Sequence, residues 1–154
     1  MENPKLLAKH LKDLYFGGNW TSVNLKDLLS KISVEKANKK IGNHNSILAL
    51  AYHINYYVLA QTKVLQGGPL DSKDKFSFDH PAIETEEAWQ NFVIKTLDDC
   101  TVMVSLLEAL TSDELDKDFA GTEKYGSNYR NFLGLIEHSH YHLGQIALLS
   151  KLLD

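Results

Sequence analysis

The sequence is short of several things. It has a single cysteine, Cys100, in 154 residues. No intrachain disulfide framework can form from one thiol, and such sparse use suits a reducing compartment. There are only three prolines, Pro4, Pro69 and Pro81. Long stretches between them are free to be helical without interruption. No run of residues is long and apolar enough to cross a bilayer. The first ten residues carry charges and Pro4 where a signal peptide would need an unbroken apolar stretch. A cytoplasmic location is the expectation. Charge of one sign is also lacking: the net charge is only -4. That balance offers no electrostatic reason to expect binding to nucleic acid or to an anionic membrane.

What is present fits one globular domain over residues 1–154, since 44% of residues are hydrophobic and 23% charged. No segment alternates apolar and polar residues as a half-buried strand would, and no hairpin turn signal occurs. The expected class is all-α, with four main helices. The first is predicted from Pro4 to Tyr15, closed by Gly17-Gly18-Asn19. A shorter, irregular helical segment is expected over Leu25–Lys39. The second main helix should start at Asn45 or Ser46 and stop at Gln66, before Gly67-Gly68-Pro69. The third carries Trp89, Phe92, Val93, Leu97, Cys100, Val104 and Leu107 at helical spacing. It follows the acidic turn Glu84–Glu87 and ends near Leu110. The fourth spans Tyr129–Leu152. These lengths suggest a four-helix bundle. Its long connecting loops allow a crossover or carry function. Phe76 and Phe78, in the loop Leu70–Ile83, are expected to pack over something.

The sequence is rich in histidine, with seven, and three of them fall at 138, 140 and 142. At 100° per residue, His138 and His142 project about 40° apart, on one helical face. His140 projects about 160° from His142 and cannot share a ligand with the pair. The same face carries Leu135, Ile146, Leu149 and Leu153, so the pair lies in an apolar stripe. Two buried imidazoles need a partner, and neutral histidine is a good ligand for zinc, nickel or copper. Two histidines are short of a site. His53, on the mixed face of the second main helix beside Ala49, Leu50, Tyr57 and Ala60, is the candidate third ligand. Three histidines with an open fourth position describe a catalytic metal centre rather than a closed structural one. His10, His44 and His80 are read as a boundary residue, a helix-start or pocket-edge residue, and a loop residue. Cys100 lies within an apolar stripe and reads as a buried, inert thiol.

The segments His44-Asn-Ser-Ile-Leu-Ala-Leu-Ala-Tyr-His53 and His138-Ser-His-Tyr-His142-Leu-Gly-Gln-Ile146 resemble the DinB/YfiT-like superfamily, over nearly the whole chain. Trp89 and the stretch Phe78-Asp-His-Pro81 add to the likeness. The resemblance implies a DinB-like bundle, commonly a homodimer, with zinc or nickel held by His53, His138 and His142. Leu143 stands where many relatives carry arginine. The family has no single reaction; some members are transferases or isomerases that use low-molecular-weight thiols. Three functions follow as expectations. The first is a metal-dependent thiol S-transferase acting on a small-molecule substrate, in which Tyr56, Tyr57 or Gln145 orients the substrate. The second is hydrolysis by water activated on the metal, and the third a non-catalytic, stress-related metal- or ligand-binding protein.

Overall fold

Polar caps define where the chain becomes helical. The computed structural model describes residues 3–153. Its long helices are α1 (Asn3–Phe16), α4 (Ile47–Leu65), α5 (Glu86–Ala109) and α7 (Asn128–Leu152). Three short helices, α2 (Leu25–Leu29), α3 (Val34–Asn38) and α6 (Ser112–Leu115), lie in the connections. No strand is present among the described residues. Ser46, Thr85 and Ser127 start α4, α5 and α7, each hydroxyl accepting from the backbone N–H three residues on. Helix α4 stops where Gly67 turns to φ +83° and the Gly68 N–H donates back to the Lys63 carbonyl at 2.9 Å.

The four long helices pack as a closed ring of neighbours: α1 and α4 each lie against both α5 and α7. One buried cluster fills the centre, with Leu11, Leu14, Ile54, Trp89, Phe132 and Ile146 at its heart. The Trp89 indole donates to the Ile32 carbonyl at 2.7 Å, fastening α5 to the turn between α2 and α3.

The irregular segment predicted over Leu25–Lys39 is two capped single-turn helices. The loop after α5 holds more structure than the sequence reading gave it: α6 begins where the Glu114 carboxylate accepts from both the N–H and the hydroxyl of Thr111. Two 3-10 turns follow, Phe119–Gly121 and Glu123–Tyr125. Cys100 is fully buried, and that burial pushes its thiol pKa well up. No helix among the described residues is long and apolar enough to cross a membrane.

Candidate metal centre

Helix α4 packs against α7, which sets His53 opposite the pair on α7. One ligand nitrogen from each of His53, His138 and His142 lies within 4.8 Å of the other two. The His138 Nε2 is 3.0 Å from the Nε2 of His53 and 3.0 Å from that of His142. Three neutral imidazoles cannot satisfy this arrangement alone. An aromatic ring nitrogen has either one hydrogen or one lone pair in the ring plane, so His138 Nε2 can make one good hydrogen bond, not two. Ligands about 2.0–2.1 Å from a tetrahedral cation stand about 3.3 Å apart, close to the spacing found. The three histidines could therefore hold a metal ion.

The surroundings favour neutral, ligating rings. His53 and His142 are buried. The pKa of His53 is lowered to about 4, first by burial, then by His142 and His138. Its Nδ1 makes no hydrogen bond of ordinary geometry, although the Ser77 backbone lies close enough to oppose part of that shift. Burial also lowers His138 and His142, with His142 adding to the effect on His138. Gln145 Oε1 lies 2.7 Å from Nδ1 of His142. An acceptor there places the proton on Nδ1 and leaves the Nε2 lone pair pointing into the cluster. Gln145 thus orients the His142 ring.

Aromatic rings wall the site. Phe78 stacks on His53, centroids 3.9 Å apart and planes 6° from parallel. Tyr57 meets His53 and His138 edge-on at 5.1 and 4.9 Å. Its hydroxyl donates to Asp74 at 2.8 Å, and burial, then that carboxylate, push its pKa up to about 12. Tyr56 faces the loop backbone instead, accepting from the Lys73 N–H and donating to the Lys73 carbonyl. Both loop phenylalanines expected to pack stay partly exposed; Phe78 nonetheless lays one face on His53, and Phe76 lies under the Lys75 ammonium.

No family model, curated protein or solved structure matches the chain.

The remaining histidines fall outside the cluster. His140 lies near His10 across the contact between α1 and α7; burial, then His10, lower its pKa. His44 is exposed and does not cap α4, because Ser46 does. His80 meets the Tyr52 ring edge-on at 6.0 Å.

A pocket of about 480 Å³ opens beside the cluster and reaches His138. Its wall includes Tyr57, Asp74, Phe119, Tyr125 and Arg130. No fourth histidine, cysteine or carboxylate joins the three histidines among the described residues. Sequence reasoning missed Phe119, Tyr125 and Arg130. They come from the connection after α5 and the first turn of α7, where no periodicity signals a site.

Proposed function

We propose that the chain is a metal-dependent protein of the DinB/YfiT-like kind, a four-helix bundle acting as a homodimer. In this reading it binds zinc or nickel through His53, His138 and His142 and transfers a low-molecular-weight thiol to a small electrophilic substrate. One observation carries the proposal: three ring nitrogens converge with no fourth protein ligand among the described residues, and a pocket reaches one of them. A closed structural site would present four protein ligands. A divalent cation there would lower the pKa of a thiol or a water and supply a nucleophile near neutral pH.

The chain's own residues supply the rest. Gln145 holds His142 in the ligating tautomer. Phe78 stacks on one face of His53 and Tyr57 packs on His53 and His138, so aromatic rings wall the cluster beside the pocket. The carboxylate lining the pocket, Asp74, is engaged by the Tyr57 hydroxyl.

Metal analysis tests the site and turnover tests the chemistry. After incubation with zinc or nickel and desalting, the protein should retain one equivalent per chain, and His138→Ala should retain none. Metal-loaded protein should then consume a thiol in the presence of an electrophilic acceptor. Turnover that survives loss of the metal would remove the metal-dependent reading. Stoichiometric metal with no turnover on thiols or esters would leave the non-catalytic binding protein.

A further inference from the structure

Arg130 is the only arginine in the sequence, and it stands in the pocket wall. Arg130, Gly134 and His138 follow one another at intervals of one turn along the same face of α7. All three line the pocket. The Arg130 side chain runs along the helix toward His138: a Cβ added at Gly134 would stand 2.7 Å from Arg130 Nη1. The absence of a side chain at position 134 is what lets the guanidinium lie there.

The guanidinium is weakly engaged. Its ion-pair partner Glu137 is 3.8 Å away, beyond hydrogen-bonding distance, and both side chains are more than half exposed. Such an exposed pair contributes little. A guanidinium presents a planar fork of donors that matches a carboxylate with two parallel hydrogen bonds, a match no lysine makes. The pocket is thus lined by a planar cation and, one turn beyond Gly134, by an imidazole of the histidine cluster.

We propose that this pocket binds a small carboxylate-bearing ligand, its carboxylate held by Arg130 and its opposite end reaching the metal cluster at His138. The proposal rests on the metal reading for its second anchor and adds the substrate class. Arg130 is then the specificity determinant. Gly134 is a positioning residue that acts only by leaving the guanidinium its place. Glu137 competes with the ligand for the same donors.

The test uses full-length protein loaded with cobalt(II), whose absorption changes when a thiolate joins it. The probes are mercapto-carboxylates with two to five methylene groups and their uncharged methyl esters. At the best chain length the acid should bind at least about tenfold more tightly than its ester, the usual scale for charged hydrogen bonds. Arg130→Ala should abolish that preference. Gly134→Ala should reduce it while keeping the charge, and Glu137→Gln should increase it. Equal binding of acid and ester by the cobalt-loaded wild type, or a preference that survives Arg130→Ala, would overturn the carboxylate site and leave the metal centre standing. Failure to take up cobalt would overturn the metal reading, and this proposal with it.

Discussion

Two connections of similar length meet at the site, and they are built in opposite ways. The chain from α4 to α5 has little structure of its own: a single 3-10 turn, Asp74–Phe76. It is held by side chains of α4, with Tyr56 on the Lys73 backbone, Tyr57 on Asp74, and His53 under Phe78. The chain from α5 to α7 supports itself. It contains α6, two 3-10 turns and an isolated bridge between Asp118 and Ser127. Its own backbone hydrogen bonds close it, Phe119 N–H to Gly126 and Asn128 N–H to Lys117, each at 2.8 Å. Phe119 anchors it in the core, edge-on to Phe132 at 6.1 Å. The first connection depends on the helix that carries His53 and should respond to a metal bound there. The second is a fixed wall of the pocket.

The largest expected effect falls on the fixed wall. Phe119→Ala removes a buried ring and should cost about 3–5 kcal/mol in chemical denaturation, as such truncations do. A cost near zero would mean that this connection is not anchored by its phenylalanine.

Zinc should sharpen the contrast. At a free concentration a hundred times its dissociation constant, a ligand of the native state stabilises by about 2.7 kcal/mol. Amide exchange should slow in residues 70–80, around the Phe78 stack, and barely change in residues 111–127. Equal protection of both would break the comparison.

Acid should have the opposite effect on metal-free protein. Protonation of His53 is shifted from 6.5 to about 4 on folding. Below pH 6.5 the unfolded chain therefore binds more protons than the folded one, and stability falls as pH drops toward 4. Above pH 6.5 this contribution is flat. Denaturation midpoints of wild type and His53→Gln, measured from pH 7.5 to 4.5, should converge as pH falls. Parallel curves would show that His53 is not the group responsible.

The smallest effect is Tyr56→Phe. It removes the hydroxyl that accepts from and donates to Lys73, and should cost about 1 kcal/mol. Proteolysis should quicken within residues 70–80 and not within 111–127.

Much of this was legible in residue order, for a simple reason. A helix repeats every 3.6 residues, so composition along the chain reports its faces. The long helices start and stop within a few residues of their caps and glycines, as at Ser46 and Gly67. The pairing of His138 with His142 and the exclusion of His140 follow from the same arithmetic. Helix α6 had a signal too, the Thr111-x-x-Glu114 spacing, but four residues are too few to show periodicity. Gln145 could be guessed to matter from its place one turn past His142. That its oxygen meets the His142 ring depends on a rotamer.

The difference between the two connections was not legible. Each reads as a polar loop with aromatics, and nothing local distinguishes Phe78, which stacks on His53, from Phe76, which lies under the Lys75 ammonium. Nor did the only arginine announce itself. Its meaning comes from the bare glycine one turn along and the pocket both of them line.

By itself, then, the sequence determined the helices, their apolar faces and the pairing of two histidines, because all of these are local and periodic. Only the tertiary structure brought His53 across from α4 to within 3.0 Å of His138, laid one loop over the cluster and made the other a wall. It also opened the pocket that Arg130 lines beside His138. Those are relations between elements far apart in the chain, and helical periodicity carries no information about which face meets which.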